Sequence, residues 1–165
     1  MKAITLTQPW ATLMAIGAKT LETRGWATKY RGPIAIHAAK AWDSSDCEHE
    51  PFRSVLMAAG YDRDEKIPRG AILAIAELVN CIPTTYASFV NRPPHEEEFG
   101  NYGPGRYAFD MRNVFRLVEP IPCRGALSLW DTDIIQLANY TPKIQAAISH
   151  QQNLLANPNT ADVGK

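Results

Sequence analysis

The chain has 165 residues, 45% of them hydrophobic, and its 17 Lys+Arg balance its 17 Asp+Glu to a net charge of zero at pH 7. That length suits one domain with its own core, and the charge balance lacks the basic excess with which a protein coats duplex nucleic acid, so it favours a small pocket or a local patch. No apolar run reaches the length of a membrane span, "MKAITLTQPW" lacks the apolar region of a signal peptide, and Cys47, Cys81 and Cys123 form no CxxC pair, so a cytoplasmic, membrane-free chain with reduced thiols is expected.

"AITLT" reads as a short strand with β-branched residues at alternate positions. Pro9 suits the first turn of a helix, with Thr7 or Gln8 before it and Gly17 at its end. Trp10, Leu13 and Met14 fall at helical spacing and face the core. "TLETR" alternates again, placing Leu21 and Thr23 on one face and Thr20, Glu22 and Arg24 on the other, with Lys19 just before the strand. "GPIAIHAAK" is the third strand.

Residues 43 to 60 read as helix broken near Pro51, and "GAILAIAELVNCI" is a central strand, glycine-led and β-branched. A short helix follows "PTT", and residues 91 to 106 are a loop by their prolines and glycines. "YAFDMRNV" and "FRLVEPIP" read as two further strands. After "LSLW", Thr132 caps a short helix, a second helix starts at Pro142, and "PNTADVGK" is a loose tail. Six strands with interspersed helices give an α+β fold, and so many strands in so short a chain imply closure of a mixed sheet into a small barrel.

The densest chemistry lies along "KTLETR". Partial burial would lower the pKa of Lys19 and make it a candidate base, with Glu22 orienting it. Alternatively Lys19 and Arg24 hold a phosphate or carbonyl while Glu22 accepts from a nucleobase amino group. A solvated cross-strand ladder of ion pairs is the simplest alternative to both.

In the loop "HEEEFGNYGPGRY", Gly100, Gly103 and Gly105 permit close backbone approach, Tyr102 and Tyr107 offer stacking faces, and Arg106 can fix an anion. The glutamates 96 to 98 are most simply a solvated run, one of which can still reach a pocket. His37 near a strand end, Lys40 after it, and Trp26 and Trp42 beside it complete the candidate ligand contacts. Cys47 and His49 lack a second pair, so no metal and no cofactor are expected. Ser-His-Asp order, GxSxG, Walker, Rossmann and HExxH patterns are all missing from the sequence.

"LTQPWATLMAIGAKTLETRGW", "YRGPIAIHAAK", "GAILAIAELVNC" and "FGNYGPGRYAFDMRNVFRLVEPIPCRGALSLW" resemble the ASCH family (activating signal cointegrator homology), a branch of the PUA-like superfamily. The most specific part is G-x-K-x-x-E-x-R, here Gly17, Lys19, Glu22 and Arg24, supported by "GPGRYAF". The resemblance implies an ASCH domain over 1–130, with 131–165 as a C-terminal helical extension and tail. It also implies a mixed β-barrel with helices around it and a cleft beside Lys19 for a nucleoside or single-stranded RNA.

Similar proteins include hydrolases of N4-acylated cytidines, a ribonuclease and non-catalytic RNA-binding modules. The hydrolases use a lysine, a threonine three residues later and a distant glutamate. Lys19 matches that lysine, Glu22 stands at the threonine position, and the carboxylate falls on Glu77 or on Glu96–Glu98. The resulting expectation is an N4-acylcytidine amidohydrolase with Lys19, Glu22 and Glu77 as catalytic residues. Arg24, Trp26, His37, Lys40, Tyr102 and Arg106 are its expected substrate contacts; an RNA-binding module or a ribonuclease in the same cleft is the alternative.

Overall fold

The computed structural model describes residues 1–133, so the helices expected after Thr132 and from Pro142 lie outside the described residues. In chain order the elements are β1 (Lys2–Leu6), α1 (Trp10–Ala15), β2 (Leu21–Arg24), β3 (Gly32–Ala38), α2 (Phe52–Ala58), β4 (Ala71–Pro83), β5 (Tyr107–Pro122) and β6 (Leu129–Asp131). Short 3₁₀ turns occupy Ser44–Glu48, Asp64–Lys66 and Thr84–Tyr86. The strands form one mixed sheet in the order β2-β5-β4-β3-β1-β6, with β1 and β3 parallel and the other pairs antiparallel. This is the α+β architecture that the strand pattern implied.

The sheet curls strongly. In a flat sheet with strands about 4.8 Å apart, β2 and β1 would stand roughly 19 Å from one another across three intervening strands. Arg24 at the end of β2 nevertheless donates from Nη2 to the Thr5 carbonyl of β1 at 2.7 Å. No side chain spans the flat distance, so the sheet bends into a half-barrel whose edges, β2 and β6, remain unpaired with each other.

The long β5 corrects the sequence reading. "YAFDMRNV" and "FRLVEPIP" are one strand, because Asn113 at a left-handed φ of 48° and the register shifts against β4 bend the chain without ending its pairing. The sixth strand is instead the short β6 within "LSLWD", a segment whose sequence pattern carries no strand signal. The segment read as a broken helix over 43 to 60 is a 3₁₀ turn followed by α2, so only its second half is α-helical.

The six-residue α1 is too short to persist alone. Packing holds it. Ala11, Met14 and Ala15 press into the concave sheet against Ile4, Leu6, Ile36 and Phe109, while Leu13 turns the other way onto Leu56, Ile67 and Phe99. Gln8 Oε1 accepts from the Thr12 amide at 3.0 Å in the first turn, and Gly17 at φ +77° stops the helix. Lys19 and β2 therefore leave α1 in a direction fixed by a core on both sides of it. The convex face carries a separate cluster of Ala3, Ala35, Ile72, Ile75 and Leu117, partly covered by Phe115 and Trp130.

Candidate functional site

Among the described residues, β2 pairs only with β5, which leaves amides at the start of its other edge in need of acceptors. Glu96 supplies them. Its carboxylate accepts from the Thr20 amide at 2.7 Å, the Thr20 hydroxyl at 2.7 Å and the Leu21 amide at 2.9 Å, and its residue is only 2% exposed. Arg92 reinforces the attachment, donating to Thr20 Oγ1 at 3.2 Å and forming a bidentate pair with Asp110 at 2.7 and 2.8 Å. The strap formed by residues 91 to 106 is thereby laid along β2.

Lys19 makes the third attachment. It is 1% exposed, and its Nζ donates to the Phe99 carbonyl at 2.9 Å, an oxygen that also accepts from Trp10 Nε1 at 2.8 Å. Burial lowers the Lys19 pKa from its ordinary value, against the opposing pull of Glu22 and Glu96. Tyr102 covers the same space, its ring centroid 6.0 Å from Nζ, and burial beside Glu96 pushes its phenol pKa up.

Between β2, the 98–101 segment and the 126–128 loop lies a cleft of about 710 Å³, bordered by Thr5, Trp10, Glu22, Phe52, Phe99 and Leu127 among others. Strand alternation placed Glu22 and Arg24 together, and Arg24 Nε stands 3.1 Å from Glu22 Oε1. Both guanidinium groups at the cleft are already engaged. Arg24 donates to the Thr5 carbonyl, and Arg106 donates to the carbonyls of Asn101 and Thr23 at 3.0 Å each. They shape the walls, and Arg24 forms an ion pair with the Glu22 carboxylate.

The remaining expected site residues are dispersed. Glu77 receives a hydrogen bond from Asn113 Nδ2 at 2.8 Å on the sheet and lies outside the cleft, far from Lys19 in partnership. Trp26 packs edge-on against Phe109 at 5.0 Å as part of the core. Tyr102 is wedged against Phe89 and beneath Gly100, where an added Cβ would stand 2.5 Å from its ring. Gly100 is thus needed for packing on Tyr102. His37 and Lys40 border a second cavity beyond the 126–127 loop. Glu96, Phe99 and Arg92 complete the site and were not distinguished by sequence pattern.

The ASCH domain pattern matches residues 4–121. The chain belongs to the ASCH domain family. It is 26% identical over 128 residues to human activating signal cointegrator 1, covering 76% of this chain and 21% of that protein, and 25% identical to the mouse protein over 79% of this chain and 22% of that one. The chain therefore spans about a fifth of the length of these curated relatives. Its fold is similar to crystal structures of the ASCH protein from Zymomonas mobilis. A point mutant of that protein superposes with a TM-score of 0.52 at 16% identity, covering 85% of this chain and 97% of that one. The unsubstituted protein gives 0.50 at 16% identity over 83% and 90%.

Within this ASCH domain, the tie between strap and sheet has a pH signature. Burial pushes the Asp110 carboxyl up, but hydrogen bonds from Arg92 and Arg112 outweigh it and hold the pKa below the ordinary 3.8. A depressed carboxylate stabilises the fold fully above the unfolded-chain value, and that contribution vanishes as pH falls through the lower folded value. Asp110→Asn is expected to cost about 1.5–3 kcal/mol at neutral pH. Urea melts between pH 2 and 7 should also show that the variant loses less stability on acidification than the parent.

Proposed function

We propose that this ASCH domain binds single-stranded RNA by taking an unpaired base into the cleft beside Glu22. The observation that carries this reading is a carboxylate held 3.1 Å from Arg24 in a cleft bordered by the aromatic residues Trp10, Phe52 and Phe99. A fixed carboxylate accepts from the exocyclic amino group of cytosine or adenine and opposes the carbonyl oxygen that uracil carries instead. Aromatic walls suit unpaired bases, which are the usual targets of sequence-dependent RNA recognition. Cytosine is the base that fits both this chemistry and the family resemblance.

The parent protein should bind an oligocytidine RNA in preference to an oligouridine RNA of equal length. Glu22→Met should remove that preference, a change of about 1–3 kcal/mol. Fluorescence anisotropy on both oligomers measures it, and an unaltered preference in the variant would exclude Glu22 as the reader of the base.

Acyl hydrolysis at the cytosine N4 position is a second reading, favoured by the lowered pKa of Lys19. A lysine so shifted suits proton transfer nearer neutral pH. Yet its Nζ is held by the Phe99 carbonyl and it does not border the cleft, so reaction needs the 99–102 segment displaced. Cytidine release from N4-acetylcytidine, abolished by Lys19→Ala, would support the hydrolase. Equal background rates in parent and variant would remove it and leave the binding function.

A further inference from the structure

The cleft has little free positive charge. Its ionisable border consists of Glu22, Asp46 and Glu98 with Arg24 and Arg106, and both arginines donate to backbone carbonyls. Three carboxylates against two engaged guanidinium groups make a poor seat for phosphate. RNA affinity needs cations that release condensed counterions on contact with the backbone.

Such cations lie next door. A second cavity of about 940 Å³ is bordered by Lys40, Arg69 and Arg124 and, among the described residues, by no aspartate or glutamate. Among the described residues none of these three forms an ion pair with a carboxylate. All three are exposed. Arg69 lays its guanidinium over the Trp42 ring at 5.2 Å, which limits its rotamers and aims the charge without neutralising it.

The two cavities adjoin. Thr5, Ala39, Ala126 and Leu127 border both, and Leu127, 92% exposed, stands at the shared rim. The rim is held in place from below. His37 is 2% exposed, and its Nε2 lies 3.2 Å from the Cys123 carbonyl. A carbonyl only accepts, so Nε2 carries the proton. Gly125 sits directly on that ring, where any Cβ would collide with the imidazole and with Thr5 Oγ1. The 123–127 segment is thus seated on a buried histidine, and Arg124 projects from a fixed backbone.

Resting on the reading of the cleft as a base pocket, we infer that the Lys40–Arg69–Arg124 cavity is a backbone subsite, which takes the phosphodiester groups flanking the base bound beside Glu22. The domain then divides recognition between two adjoining chambers, one neutral-to-acidic for the base and one basic for the chain. Its natural ligand is a strand of RNA, and a free nucleoside fills only the first chamber.

The test combines a salt series with a charge-removed variant. Binding of a short oligocytidine RNA is measured by anisotropy over a range of salt for the parent and for Lys40→Gln/Arg69→Gln/Arg124→Gln. Lys29→Gln, exposed and outside both cavities, serves as the charge control. Thermal melts by circular dichroism confirm folding, since none of the replaced side chains is buried. For single strands the slope of log K against log salt falls by about 0.7 for each phosphate contact removed, so the triple variant should lose about 2 while the control loses no comparable amount.

Cytidine binding, followed by NMR, should be the same in parent and triple variant. A folded triple variant with the parental salt slope overturns the subsite, and if the Glu22-dependent base preference persists, the base pocket survives that failure. Parent protein that binds no RNA overturns the base-pocket reading and the subsite together.

Discussion

The structure depends on how the free edge of β2 is closed. Its first amides face no strand among the described residues, and an edge left open at the mouth of a half-barrel invites pairing with other chains. The Glu96 carboxylate closes it with three accepted hydrogen bonds. Burying a carboxylate without donors would cost several kcal/mol, and the same three donors would be orphaned without it. Neither partner is stable in place alone. Their union lays the 91–106 strap on β2 and puts Phe99, Gly100 and Asn101 along the cleft, and Lys19 locks the arrangement through the Phe99 carbonyl.

This makes Lys19 and Glu22 different in kind, although they lie three residues apart. Lys19 is internal, a buried ammonium holding the strap to the end of α1. Glu22 borders the cleft, ion-paired with Arg24, which itself spans the barrel mouth to Thr5. The G-x-K-x-x-E-x-R segment therefore joins an architectural lysine to a carboxylate at the cleft. In the proposed reading, base and backbone recognition divide in the same way, with charge pairing inside the cleft and, among the described residues, cations without a carboxylate partner beyond Leu127.

Much of the fold was legible because its signals are local. Period-two alternation placed Glu22 and Arg24 side by side, Gly17 marked the end of α1, and the run of β-branched residues from Ala71 gave the central β4. The split of β5 failed because a left-handed Asn113 resembles a turn in sequence, and only pairing with β4 carries the strand through it. Among the three consecutive glutamates, composition offers no means of separating the buried Glu96 from its exposed neighbours. That choice is made by the path of the strap after His95, which takes a φ of 65°. Glu77 and Trp26 had suitable chemistry for a site, but the sheet directs them to Asn113 and to the core.

In the proposed reading, an unpaired base enters the cleft between β2, the strap and the 126–128 loop. The most direct measurement is an NMR titration of the protein with a short oligocytidine RNA, following backbone amide shifts. Saturable changes concentrated at residues 5–7, 22–24, 98–101 and 124–128 are expected. Changes confined to the convex face around Ile72, Ile75 and Leu117, or no saturable change at RNA concentrations well above that of the protein, would contradict it.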